Sequence, residues 1–212
     1  MDNIIVVEDV SLKIGKEELL CNINVSFQKG KIYGVIGRNG SGKTLLFKCI
    51  CGYIRPTQGM IRVHGSLIGQ DVDFPDNTGM IIETPGFMPY YSGMKNLKLL
   101  AQINNRIGKE QIRESMEFVG LDPDNKKHVK KYSLGMRQRL GLAQAIMESP
   151  SLLVLDEPMN GLDKEGVADV RTYLLKLKEE GKTILLASHS AEDIQLLCDE
   201  VYEMDKGKLQ EI

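Results

Sequence analysis

The sequence predicts an α/β fold whose core of strands and helices is interrupted by a helical insertion. Three observations carry this reading. Apolar runs of strand length alternate with helical spacing before residue 84 and again after residue 147. Between them, Thr84 to Met147 shows helical patterns and no convincing strand. Two near-continuous apolar runs end abruptly, Lys31–Ile36 at Gly37 and Leu152–Leu155 at the acids Asp156 and Glu157, as buried parallel strands do.

The elements follow in order. Ile4–Val10 and Ile23–Phe27 read as short strands, the second ending in a turn at Lys29-Gly30. Lys31–Ile36 is a buried strand and Gly42–Cys51 the helix after it. Met60–Val63 and Met80–Ile82 are further strands. The turn-rich stretch Pro85-Gly86-Phe87-Met88-Pro89 opens the insertion. Helices at Met94–Asn104, Lys109–Val119 and Leu134–Met147 fill it. Alternation resumes with Leu152–Leu155, Lys164–Glu179, Thr183–Ala187 and Ala191–Cys198, and Val201–Met204 reads as the last strand. Ser133, Asp163 and Ser190 suit helix N-caps on local grounds. The expectation is a single domain over 1–212, with a core from 1–83 and 148–212 and a helical subdomain at 84–147.

Composition narrows the function classes. The chain has 212 residues, 42% hydrophobic and 26% charged, which fits one large domain or one domain with a small insertion. That length buries about 70% of the unfolded surface. Lys+Arg 27 against Asp+Glu 29 gives a net charge of -2, so no bulk basic field marks a nucleic-acid binder. No apolar stretch approaches the roughly 18–20 residues of a membrane span. The opening MDNIIVVEDV has no basic n-region or apolar h-region, so no secretory signal is expected. Cys21, Cys49, Cys51 and Cys198 are scattered and read as free thiols. Lys126-Lys127 and Lys176–Glu180 read as solvated faces.

The strongest motif is Gly37-Arg38-Asn39-Gly40-Ser41-Gly42-Lys43-Thr44, which fits G-x-x-x-x-G-K-[ST] between a buried strand and a helix. Glycines let the backbone turn tightly and aim its N–H groups at phosphate oxygens. The following helix adds its positive end. Lys43 would reach the β- and γ-phosphates, and the Thr44 hydroxyl would ligate Mg²⁺. The second site is Asp156-Glu157, delivered to the carboxyl end of the sheet, where α/β ligands sit. Asp156 would hold Mg²⁺ through water, and Glu157 would orient or deprotonate the attacking water.

These residues, with three further motifs in order, resemble the ATP-binding subunits of ABC transporters over nearly the whole chain. Tyr132-Ser133-Leu134-Gly135-Met136, running on as Arg137-Gln138-Arg139-Leu140, takes the place of the family signature LSGGQ. Asn160-Gly161-Leu162-Asp163 matches the D-loop, and His189 the switch histidine. The resemblance implies a P-loop NTPase core of mainly parallel sheet, an N-terminal antiparallel β region and an inserted α-helical subdomain. It implies an ATPase that binds ATP and Mg²⁺ and works as a head-to-tail homodimer. Ser133, Gly135 and Asp163 would then close on nucleotide held by the other copy, and His189 would contact the γ-phosphate. It also implies a transmembrane permease on a separate chain and a position on the cytoplasmic face of the cell membrane. A soluble non-transport ABC ATPase, such as an iron–sulfur-assembly scaffold subunit, is the alternative. A P-loop kinase or switch GTPase lacks the signature, the D-loop and the switch histidine.

Three departures from the family pattern stand out. Glu83, in Met80-Ile81-Ile82-Glu83-Thr84-Pro85, stands where a glutamine is usual, and is expected to ligate or sense Mg²⁺ with an added negative charge. Leu134 and Met136 replace Gly and Gln in the signature. Ile14 stands where an aromatic residue commonly stacks on adenine, so an apolar contact to the base is expected instead. Glu83-Thr84-Pro85, Ser92-Gly93-Met94-Lys95-Asn96-Leu97 and the signature segment are similar to the bacitracin-resistance and lantibiotic-immunity branch, whose members point to an exporter. Met80, Phe87, Met88, Tyr90, Tyr91 and Met94 read either as packing or as a docking groove for the permease.

Overall fold

The computed structural model describes residues 2–83 and 85–212. Met1 and Thr84, the residue on which the predicted insertion begins, lie outside the described residues. The chain runs β1 (Asn3–Ile14), β2 (Glu17–Gln28), β3 (Ile32–Ile36), α1 (Lys43–Ile50), β4 (Gln58–Val63), β5 (Ser66–Leu67) and β6 (Thr78–Ile81). The helical stretch follows as α2 (Gly93–Asn104), α3 (Lys109–Phe118), a 3-10 turn at Val129–Lys131 and α4 (Leu134–Ile146). It returns through β7 (Leu152–Asp156), α5 (Lys164–Glu179), β8 (Thr183–Ala187), α6 (Ala191–Leu197), β9 (Glu200–Asp205) and β10 (Lys208–Glu211).

Two sheets result. The larger has the order β10-β9-β3-β8-β7-β6, parallel throughout except for β10, which runs antiparallel to β9. The smaller, β2-β1-β4-β5, is antiparallel. Successive side chains of a strand point to opposite faces, and both faces of the large sheet are covered. Leu152 and Val154 of β7 join Tyr33, Val35, Phe47 and Ile50 under the small sheet and α1. Leu153 and Leu155 join Leu97, Met116, Leu140, Val170 and Leu174 of the helices on the other side. That double burial is why β3, β7 and β8 read as apolar runs rather than alternating ones.

Two expectations need correction. Val201–Met204 is not the last strand, because β10 pairs with it through Lys208↔Asp205 and Leu209↔Met204. The hairpin strands also run well past Val10 and begin well before Ile23, to 12 residues each. Asp9 (φ 51°) and Asn22 (φ 47°) interrupt the alternation, and the register shifts between Val7 and Val10. Such a bulge switches which side chains face inward.

The helix starts are fixed as their residues foretell. Ser133 accepts a hydrogen bond from the Met136 N–H at 3.1 Å, Asp163 from Gly166 at 2.9 Å and Ser190 from Asp193 at 3.3 Å. Each cap stands at the head of a helix whose preceding loop carries a predicted site residue. Among the described residues, no helix is long and apolar enough to cross a membrane.

Candidate active site

Strand register brings the site together. Val35 of β3, Ala187 of β8 and Asp156 of β7 are neighbours across the sheet, so the loops after all three leave from one edge. The loop after β3 carries residues 37–44, that after β7 carries Glu157, and that after β8 carries His189. This is the carboxyl end of a parallel sheet, where such folds bind ligands.

The phosphate loop holds a tight, left-handed course. Gly37 has φ 144°, and a Cβ there would lie 2.2 Å from the Met204 carbonyl oxygen, so no larger residue fits against β9. The Ser41 carbonyl accepts from the Gly207 N–H at 2.9 Å, tying the loop to the β9–β10 turn. Lys43 is only 6% exposed and folds over the loop, donating from Nζ to the Gly37 carbonyl at 2.6 Å and the Arg38 carbonyl at 3.2 Å. The head of α1 has Gly42 as its cap and so no side-chain cap. Among the described residues, Ser41 Oγ is the one buried side-chain polar atom without a hydrogen-bond partner. An orphaned hydroxyl beside an uncapped helix end and a buried ammonium fits an anion with several oxygens.

The acids adjoin it. The Thr44 hydroxyl donates to Asp156 Oδ2 at 2.6 Å, so the two oxygen donors expected to hold a hard cation already touch. Burial pushes the Asp156 carboxyl above its ordinary range, against the lowering effect of the Thr44 hydrogen bond and the Lys43 charge. A nearby cation would offset that burial penalty, which fits these residues as a Mg²⁺ site. Glu83 is close enough to Asp156 to raise it further by like charge. Its carboxylate is paired with Lys48 Nζ at 2.7 Å, one helical turn on from Thr44.

Glu157 adopts φ 51°, unusual for a residue with a side chain. Its N–H donates to the Ala187 carbonyl at 3.0 Å, and Gln138 Nε2 lies 3.4 Å from its carbonyl oxygen. His189 Nδ1 sits 2.8 Å from Glu157 Oε2. A carboxylate only accepts, so Nδ1 carries the proton of this pair. Two groups predicted from separate motifs, 32 residues apart, therefore meet as one unit.

The signature residues stand elsewhere. Ser133 and Leu134 are exposed, and a Cβ on Gly135 would meet Leu162 and the Gly161 carbonyl of the D-loop. Leu134 lies against Gly161, where an added Cβ would fall 2.1 Å from Leu134 Cδ2. Gly161 has φ 76°, so both the backbone and Leu134 require glycine there. Ile14 ends β1, is 58% exposed and pairs with Glu17 at the hairpin tip.

Residues 20–160 match the sequence profile of the family described as ABC transporter, about two thirds of the chain. The chain belongs to the ABC transporter family. It is 45% identical over 202 residues to the ABC transporter ATP-binding protein YybJ of Bacillus subtilis (strain 168), covering 95% of this chain and 93% of that one. It is 40% identical over 213 residues to the bacitracin transport ATP-binding protein BcrA of Enterococcus faecalis, covering 100% of this chain and 69% of that one. It is 35% identical over 204 residues to the lantibiotic transport ATP-binding protein SrtF of Streptococcus pyogenes, covering 96% and 87%. Among solved structures, the fold is similar to a dimeric post-hydrolysis state of the ATP-binding cassette MJ0796 bound to ADP and Pi. The TM-score is 0.88 at 20% identity, over 98% of this chain and 97% of that one. This ABC subunit is therefore an ATPase of the branch its motifs resemble, with the α/β cassette fold.

Three contributions to this ABC ATPase site escaped the sequence reading. Lys48 holds Glu83, Gln138 approaches the backbone of Glu157, and Asp193, paired with Arg171, accepts from Ser188 beside His189. Lys48 was within reach, since i and i+4 share a helix face and Thr44 was already assigned. The other two depend on pairings over 19 and 22 residues that no local pattern announces. The aromatic and Met residues at the insertion divide. Phe87 and Met94 pack on one core and Met80 on the other. Met88, Tyr90 and Tyr91 are exposed.

Proposed function

We propose that this subunit hydrolyses MgATP at Glu157 and uses closure of a homodimer to drive a transmembrane permease in export. The observation that carries the hydrolytic part is the Glu157–His189 contact at 2.8 Å beside the Thr44–Asp156 pair. The backbone of residues 37–44 and Lys43 hold the β- and γ-phosphates. Thr44 and Asp156 would hold Mg²⁺, with Glu83 as a further carboxylate whose charge Asp156 feels. Mg²⁺ when bound neutralises charge on the phosphate oxygens. Glu157 accepts a proton from water as the water oxygen bonds to the γ-phosphorus. The bond from that phosphorus to the β–γ bridging oxygen breaks, leaving ADP and phosphate. His189, donating from Nδ1 to Glu157, donates to a γ-phosphate oxygen from Nε2 when the ring carries both protons.

Ser133, Gly135 and Asp163 act on nucleotide held by the second copy. Ser133 and Asp163 are exposed and Gly135 stands half-buried against the D-loop, which supports this reading. Ile14 makes an apolar contact to the base. Residues 84–147 move as the helical subdomain that transmits closure. A cleft of about 440 Å³ lies between α1, β6 and α4, lined by Lys48, Met80, Glu83, Pro85 and Gln144. With the exposed Met88 and Tyr90 nearby in sequence, it supports the permease docking here, with the subunit peripheral on the cytoplasmic face. Relatives named as bacitracin and lantibiotic transport proteins favour export over a soluble assembly role.

The deciding experiment is Glu157→Gln. ATP binding is expected to persist within about threefold, hydrolysis to fall by about 10²-fold or more, and an ATP-bound dimer to accumulate on size-exclusion chromatography. Full turnover in this variant would overturn the assignment of Glu157.

A further inference from the structure

We propose that Asp193 and Arg171 are positioning residues for the switch histidine, clamping the loop on both sides of His189 through the Ser188 hydroxyl. The proposal rests on the reading of His189 given above. Asp193 lies in the first turn of α6 and is 3% exposed, with both carboxylate oxygens in use. Oδ1 accepts from Arg171 Nε at 2.8 Å and from Nη2 at 2.5 Å. Oδ2 accepts from the Ser188 hydroxyl at 3.1 Å. The same hydroxyl oxygen accepts from the Ser190 N–H at 3.1 Å, so it bridges the residues before and after His189. Ser190 Oγ accepts from the Asp193 N–H at 3.3 Å and closes the ring of contacts. Arg171 Nη2 also donates to Glu192 Oε2 at 2.9 Å. Three segments meet at one buried carboxylate: α5, the loop after β8, and α6.

The direction of these contacts argues for more than adhesion. Apolar side chains of similar volume pack α5 on α6 at least as well as a buried ion pair does. What they lack is a donor and an acceptor on either side of one residue, which select a single backbone course for 188–190. His189 needs such a brace, because its side chain is 66% exposed and its one close polar partner is Glu157. The Arg171 fork fixes the orientation of the Asp193 carboxylate, and the carboxylate fixes the Ser188 rotor. A displacement of about 1 Å at a reacting group costs on the order of 10² in rate.

The test compares wild type, His189→Ala, Asp193→Asn and the double variant on the full chain, reading kcat, KM for MgATP and thermal midpoint. Asp193→Asn is expected to lower kcat by about 10–100-fold with KM within about threefold. The double variant should be no slower than His189→Ala alone, because Asp193 acts through His189. Arg171→Lys keeps the charge but loses the fork, and is expected to give a smaller loss in kcat with the thermal midpoint unchanged. Three results would overturn the positioning role while leaving His189 in place: wild-type kcat in Asp193→Asn, losses that multiply in the double variant, or a KM that rises and a midpoint that falls in step with the loss of kcat. Wild-type kcat in His189→Ala would instead overturn the reading of His189, and the clamp with it.

Discussion

Asp156, proposed as a Mg²⁺ ligand, carries a cost in stability. Burial raises its carboxyl above the unfolded value, so the folded chain takes up its proton more readily than the unfolded one. Such a group contributes its full stability below its unfolded pKa and loses it as pH rises through the folded pKa. At neutral pH the buried charge is a burden that Thr44 and Lys43 relieve in part and a bound cation would relieve further. Asp156→Asn is therefore expected to raise the thermal midpoint at pH 7, to lose that advantage as pH falls towards the unfolded carboxylate pKa, and to abolish Mg²⁺-dependent ATP hydrolysis. A midpoint difference independent of pH would contradict this account. Lys43→Ala removes the one ammonium held over the loop and is expected to weaken nucleotide binding by about 100-fold, measured by calorimetry. Glu83→Gln breaks the charge pair with Lys48, and unchanged ATPase and coupling would show that the carboxylate has no special part. These chemistry-bearing residues were readable because each sits in a short motif at the end of an apolar run. The left-handed backbone of Glu157 was not readable, since it is imposed by the hydrogen bond to Ala187 from another strand.

Helices were easier to place than strands, and capping explains why. Ser133, Asp163 and Ser190 each declare a start through a side chain that accepts from the N–H three residues ahead. Ser133→Ala and Asp163→Ala are each expected to cost about 1 kcal/mol in denaturant unfolding, and Ser133→Ala should also weaken the dimer. A loss confined to stability would leave Ser133 a cap and nothing more. Strands β3, β7 and β8 stood out because both faces are buried. β10 did not, because Lys208-Leu209-Gln210-Glu211 has one apolar residue and earns its place only by pairing with β9. β5 is two residues long, too short for any pattern. The hairpin ends were hidden by the bulge at Asp9 and Asn22, where the inside–outside alternation skips a beat.

At the scale of the whole molecule, the proposed site is split between two places on the surface. Lys43, Thr44, Asp156, Glu157 and His189 line one edge of the large sheet, while Ser133 and Gly135 stand with the D-loop. A mixed dimer in which one subunit carries Ser133→Arg is expected to lose hydrolysis at the other subunit's nucleotide and to keep it at its own. Equal activity at both sites would contradict the shared site. Three of the four thiols are poor nucleophiles at neutral pH, because burial pushes Cys49, Cys51 and Cys198 each up to about 12.

The contact of Leu134 with Gly161 changes how the two loops can vary. Leucine at 134 fills the space that a Cβ at 161 would need, so the signature and the D-loop form one lock with two keys. A glycine at 134 alone leaves the D-loop uncovered, and any larger residue at 161 alone collides with the leucine. An engineer grafting the usual signature into this subunit uncovers Gly161 by removing Leu134, yet gains no freedom at 161, because its left-handed backbone still asks for glycine.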